Sequence, residues 1–255
     1  MTSTTRLDPL IEYLLRFGDT ALVLGQQLGA WTGHAPILEE DLALTNVALD
    51  LVGEARAWLS HAGEREGLER DEDALAFSRG DREFHNVLLV ERPNGNFADT
   101  LGRQFLFDAW HVLALEQLSA SSDGRIAALA RKVRKEAAYH ARRSADWVVR
   151  LGDGTETSKA RMQAALAALW PYVGELFEGD DVDAEMVARG IGFDPAALRE
   201  PWSRGVGAVL AEATLVQPSE GWMQRGGKRG LHSEHLGYLL AEMQSVRRSV
   251  PGDLW

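Results

Sequence analysis

An all-α fold is predicted for this 255-residue chain from three observations. Apolar residues recur at three-and-four spacing over long stretches, capping residues stand where those stretches begin, and no segment sustains an alternation of β-branched residues. The first helix is expected from Pro9 behind the N-cap Asp8, with Leu10, Ile11, Leu14, Leu15, Ala21, Leu22 and Leu28 at helical spacing. It breaks across Gly29 to Pro36. A second helix is expected from Leu38 to about Ala62, marked by Leu38, Leu42, Thr45, Leu49, Val52 and Leu59, with Glu39, Glu40 and Asp41 where a helix N-terminus favours negative charge. The stretch from Gly63 to Asn96 is charged and broken by Gly67, Gly80, Pro93 and Gly95, so only short elements fit; Val87 to Val90 suits a strand or a helical turn.

Asn96 is placed to cap a third helix carrying Phe97, Leu101, Phe105, Ala109, Val112 and Leu113. A fourth runs from about Arg125 to Leu151, with Gly152 where a left-handed C′ residue is expected. Beyond Gly154, helical spacing resumes at Met162, Leu166, Leu169, Val173 and Leu176, and Pro171 must kink or restart that helix because it lacks an amide donor. Asp194-Pro195 repeats the cap-then-proline pattern, a last helix is expected from Ser233 to Arg248, and a short tail, Pro251 to Trp255, follows. Long helices with short breaks imply antiparallel packing, and the absence of a Pro/Ser linker makes residues 1–255 one helical domain in expectation.

Composition narrows function. Hydrophobic residues make up 45% of the chain, enough for a large core, so intrinsic disorder is not expected. With no cysteine, disulfides, thiolate zinc sites, iron–sulfur clusters and thiol catalysis are excluded. Neither a secretory leader nor a bilayer-length apolar run is present in the sequence, so a cytoplasmic protein without membrane contact is expected. A net charge of −11 opposes nucleic-acid binding. The basic stretch Arg131-Lys132-Val133-Arg134-Lys135, continued by Arg142 and Arg143, reads first as a solvated helix face and second as a docking surface for an acidic partner. Gly226-Gly227-Lys228-Arg229-Gly230 lacks Walker spacing and reads as a flexible loop, and His232-Ser233-Glu234-His235 as a helix start. Trp31, beside His34 in a broken loop, is the tryptophan least explained as core and marks a possible interface.

Paired-metal chemistry in a four-helix bundle uses one Glu from each of two helices and Glu-x-x-His from the other two. Asp108-Ala109-Trp110-His111 is the best local match, because its carboxylate and imidazole share a helix face. Glu136 and His140 also share a face, at a different spacing. The second helix offers Asp50 and Glu54, with Gly53 where an imidazole would be wanted; the first offers only Asp19, and His61 lies near a helix end. The set is irregular. A buried hydrogen-bonded pair is therefore favoured for Asp108 and His111 over metal ligation.

Three segments resemble the C subunit of bacterial phenylacetyl-CoA epoxidase: Leu22 to Pro36 (LVLGQQLGAWTGHAP), Glu91 to Thr100 (ERPNGNFADT) and Gly226 to Gly237 (GGKRGLHSEHLG). Asp108 to His111 and Leu240 to Gln244 also fit, in the same order. The resemblance implies a ferritin-like helical bundle with additional C-terminal helices. It also implies a place in a multicomponent monooxygenase that uses O2 and NADPH-derived electrons on the ring of phenylacetyl-CoA. In that family the catalytic A subunit holds the di-iron centre, so the resemblance implies no catalytic, cofactor or metal residue in this chain. Asp108, His111, Glu136 and His140 remain as candidate remnants of a site. The A subunit and other subunits of the complex are the implied partners, with self-association of the chain alone possible. The alternative is a self-sufficient di-iron oxidase binding metal through Asp50, Glu54, Asp108, His111, Glu136 and His140. A third reading is an interaction or iron-handling protein of ferritin-like shape.

Overall fold

The computed structural model describes residues 7–219 and 221–250. All regular structure in it is helical, with no strand among the described residues. Helix α1 (Pro9–Ala30) and α2 (Leu38–Glu66) form one long hairpin, and α4 (Phe97–Leu118) and α5 (Gly124–Gly152) form a second; the short α3 (Glu72–Phe77) lies on the path between them. The four long helices make a ferritin-like bundle. Around it, α6 (Glu156–Leu169) packs on α4 and α5, α7 (Asp181–Ala188) on α1, and α8 (Arg199–Glu212) on α5 and α4. The chain returns through α9 (Glu234–Met243) to α1 and ends its described part in α10 (Ser245–Ser249). The tail from Pro251 to Trp255 and most of the N-terminal segment, residues 1–6, lie outside the described residues.

The predicted caps form. Asp8 accepts from the Leu10 amide at 2.7 Å with Pro9 behind it, and Asn96 accepts from Ala98 at 2.9 Å while Asp99 accepts from Asn96 at 2.8 Å. Leu88–Glu91 is a single 3₁₀ turn, which settles the strand-or-turn ambiguity. Pro171 lies in a 3₁₀ turn that ends α6 at Leu169, as its missing amide requires.

Several expectations are corrected. Helix α2 is apolar on two sides. Leu44, Val47, Ala48, Leu51, Ala55, Trp58, Leu59 and Ala62 are buried, whereas Leu38, Leu42, Leu49 and Val52, which mark the helix in the sequence, are 69%, 56%, 65% and 37% exposed. Gly152 is helical rather than left-handed; it is needed because a Cβ there would stand 2.3 Å from the Ala213 carbonyl oxygen, where the chain after α8 crosses α5. The last helix is two helices, because the buried Gln244 turns aside to donate to the carbonyls of Ala76 (3.1 Å) and Arg79 (2.9 Å). Trp31 is half-buried, its ring 5.7 Å from that of His34.

Candidate functional site

The bundle interior is the place where this architecture holds metal, and each long helix contributes polar side chains to it. From α2, Glu54 is buried and accepts two hydrogen bonds on one oxygen, from the Trp58 indole one turn on (2.9 Å) and from His111 Nε2 on α4 (3.0 Å). Because its partner is a carboxylate, His111 carries its proton on Nε2. Burial opposes the imidazolium, but the Glu54 carboxylate outweighs it and raises the His111 pKa above its ordinary value.

Asp108, one turn earlier on α4, is also buried. It accepts from Gln104 Nε2 at 2.7 Å and from Ser144 Oγ on α5 at 2.8 Å. Burial pushes its pKa up, against the attraction of His140 and His111 and the two hydrogen bonds. His140 on α5 turns to a different carboxylate, donating from Nε2 to Asp50 Oδ2 at 3.0 Å near the bundle edge. On α1, Asp19 is fully buried and paired with Arg79, whose Nη1 lies 3.0 Å from Oδ2, and it also accepts from the His85 amide at 2.9 Å. Glu136 is half-buried, and no hydrogen bond joins it to the others.

Of the four candidate remnants, Asp108, His111 and His140 therefore lie on the facing sides of α4 and α5, each turned to a separate partner, while Glu136 stays apart. These donors do not converge on one point, whereas the ligands of a carboxylate-bridged metal pair do. Glu54, Asp108 and Asp19 each accept from two residues of the protein, and they are turned to separate partners rather than to one point. Arg79 places a cation where α1 would supply a ligand. Among the described residues no cluster of three or more acidic or imidazole groups has a metal-binding arrangement.

Sequence spacing missed two further buried carboxylates, Glu91 and Glu175. Glu91 accepts from Asn86 Nδ2 (2.9 Å), His232 Nδ1 (2.6 Å) and both the amide and hydroxyl of Ser233. Glu175 accepts from the amides of Leu88 (2.8 Å) and Gly226 (2.8 Å). The segment from Gly226 to Gly230 is thus tied down rather than flexible, since a buried carboxylate must find donors and the amides of Gly226 and Lys228 supply two of them. Gly227 has to be glycine, for a Cβ would come within 2.2 Å of the Asn86 carbonyl oxygen. Ser233 opens α9 but spends its hydroxyl on Glu91 instead of capping. The signal lay in the two resembling segments, ERPNGN and GGKRGLHSEH, which the fold brings into contact.

Outside the interior, Arg131, Lys132, Arg134 and Lys135 are exposed on α5 while Val133 is buried, the pattern of a solvated helix face. No helix among the described residues is long and apolar enough to cross a membrane.

A model of the phenylacetic acid catabolic protein family matches residues 1–255. The chain belongs to this family. It is 52% identical, over 98% of its own length and 100% of the relative's, to a protein of Escherichia coli (strain K12) named as the C subunit of 1,2-phenylacetyl-CoA epoxidase. Two of the motifs that carried the resemblance, ERPNGN and GGKRGLHSEH, also take part in the Glu91 and Glu175 contacts of this chain.

Proposed function

We propose that this chain is a structural, non-catalytic subunit of a multicomponent phenylacetyl-CoA 1,2-epoxidase, an O2- and NADPH-dependent monooxygenase. It pairs with and stabilises a separate catalytic A subunit that carries the di-iron centre. The observation that supports this reading is the engagement of the inward carboxylates of the bundle by protein donors, above all the Asp19–Arg79 pair and the Gln104–Asp108–Ser144 bridge. Those contacts stabilise the interior without metal. A buried ion pair of this kind is costly to break, because removing one partner leaves an uncompensated buried charge.

The test is iron content of the purified chain, alone and with the catalytic partner, together with turnover of the complex reconstituted with Asp108→Asn. Asparagine keeps the side-chain shape, accepts from Gln104 and donates to Ser144. Iron is expected only in the presence of the partner, and turnover of the variant complex within about twofold of the parent. About two iron atoms per molecule of this chain alone, the stoichiometry of a paired-metal site, with turnover abolished by Asp108→Asn, would overturn the proposal in favour of a self-sufficient oxidase.

A further inference from the structure

A cavity of about 30 Å³ lies between α1, α4 and α7, where Tyr13, Arg16 and Phe17 meet Trp110 and Asp183. Phe17 packs on both aromatic neighbours, its ring centroid 5.3 Å from that of Tyr13 and 6.2 Å from that of Trp110. Three buried donors on these residues have no partner in the protein: the Tyr13 hydroxyl, the Arg16 Nε–H and the Trp110 indole N–H. Buried donors are almost always paired, so three orphans on residues lining one cavity point to something that the cavity binds.

Each donor is fixed in its role. Burial, and then the charge of Asp183, push the Tyr13 pKa up, so its hydroxyl keeps the proton it donates. The Nη1 and Nη2 atoms of Arg16 are held by Glu12, Asp180 and Asp183, and because a guanidinium is a planar fork, the direction of its Nε–H follows from theirs. The same lining offers an acceptor. Asp183 takes hydrogen bonds from Arg16 Nη1 (3.2 Å), the Asp180 amide (3.2 Å) and Lys228 Nζ (3.4 Å), all on Oδ2, which leaves Oδ1 without a donor.

Donors and an acceptor together select the ligand. A halide would use only the donors, and it would join three carboxylates, Glu12, Asp180 and Asp183, that already outnumber the two cations Arg16 and Lys228. An apolar molecule would leave every one of these groups unpaired. Water both accepts and donates, and it needs roughly 10–15 Å³, so the volume suits one or two molecules. We propose that the cavity is a structural water site, in which ordered water accepts from Tyr13, Arg16 and Trp110 and donates to Asp183. The water thereby ties Trp110 on α4 to the charge cluster of α1 and α7, with which the indole makes no hydrogen bond of its own. Such a site serves the folded chain whatever its partner, so its failure would leave the subunit assignment untouched.

Two measurements on the full chain decide it. In a high-resolution crystal structure grown with bromide in place of chloride, a water peak is expected within about 2.7–3.2 Å of at least two of the three donor atoms, without anomalous bromine signal. In solution, Tyr13→Phe deletes the hydroxyl and nothing else. A hydroxyl bound to water contributes about as much as an ordinary hydrogen bond. Its loss is therefore expected to lower the melting midpoint by about 2–4 °C in a chain of this size. The sign discriminates, because removing an unpaired buried hydroxyl would leave the midpoint unchanged or raise it. A cavity without density, a bromide within it, or a Tyr13→Phe chain as stable as the parent overturns the proposal.

Discussion

His232 lies between two acceptors, with Nδ1 2.6 Å from Glu91 Oε1 and Nε2 2.8 Å from the Phe84 carbonyl oxygen. A neutral imidazole has one N–H and can satisfy only one of them, so the geometry selects the imidazolium. Burial opposes that charge, but the hydrogen bond that His232 donates to Glu91 and the negative charge of Glu91 prevail, and the pKa is raised above the ordinary 6.5. A raised folded-state pKa means that the folded chain holds this proton more tightly than the unfolded chain. The stabilisation is therefore complete below about pH 6.5 and fades as pH climbs through the folded value, each tenfold gain in proton affinity on folding being worth about 1.4 kcal/mol. His111 contributes with the same sign through Glu54. Melting midpoints measured from pH 6 upward should fall for the parent chain and fall less steeply for His232→Gln, whose amide can donate to one acceptor but takes up no proton. Equal slopes in the two chains would show that His232 is neutral in the fold.

Gly226, Gly227 and Gly230 let a short element pass against another backbone, and each does so for a local reason. Gly226 and Gly230 have φ of +132° and +72°, while Gly227 lies against Asn86. Gly227→Ala should push this turn off the Leu88–Glu91 element, because backbone on the facing side cannot yield as a flexible side chain would. The destabilisation expected is about 2–4 kcal/mol, the range for overpacking plus loss of a buried hydrogen bond. Trypsin should report it, since Arg225, Lys228 and Arg229 sit in this turn: faster cleavage there is expected for the variant, and unchanged cleavage would mean the turn tolerates a Cβ. Elements of this kind show how much the sequence conveys. The long helices were legible because apolar spacing and caps are local properties. The inward side of α2 was not, because the helix has an apolar line on each side and periodicity does not say which one the neighbours cover. Asp108 and His111 were found by spacing along one helix, but their partners Ser144 and Glu54 come from other helices and have no signature in α4. Glu91 and Glu175 were missed for the same reason, as isolated carboxylates in short elements whose donors lie mostly far away in the chain.

The two hairpins of the bundle share one hydrophobic core, as where Phe17 stacks on Trp110, and charge pairs line one seam between them. Along the antiparallel α2–α5 seam, Glu40 pairs with Arg143, Asp50 with His140, Glu64 with Arg125 and Arg65 with Asp123. Glu64–Arg125, exposed on both sides, contributes little, while Glu40–Arg143 and the His140 end of its pair lie largely out of solvent. The returning C-terminal segment adds a second tie. Gln244 donates to the carbonyls of Ala76 and Arg79 at the end of α3, His232 and Ser233 close on Glu91, and the Lys228 carbonyl meets His85 Nδ1, so one stretch reaches the connection between the hairpins at three places, while the Gly226 amide closes on Glu175 beyond α6. Deleting residues 225–255 would leave Glu91 and Glu175 buried with most of their donors gone, at about 1–3 kcal/mol or more for each. It would also remove Leu236 and Leu240, both buried, at about 1.5–3 kcal/mol each. The total, roughly 5–12 kcal/mol, is comparable with the whole stability of a typical domain. The truncated chain is therefore expected to lack a cooperative thermal transition by circular dichroism, and a peptide spanning 225–250 supplied in trans should restore part of it. A truncated chain that melts cooperatively within a few degrees of the parent would instead make the bundle self-sufficient and the return segment an attachment. Its placement against α1 and the connection argues for the first outcome, because Glu91 and Glu175 each sit in a single 3₁₀ turn too short to bury a carboxylate unaided.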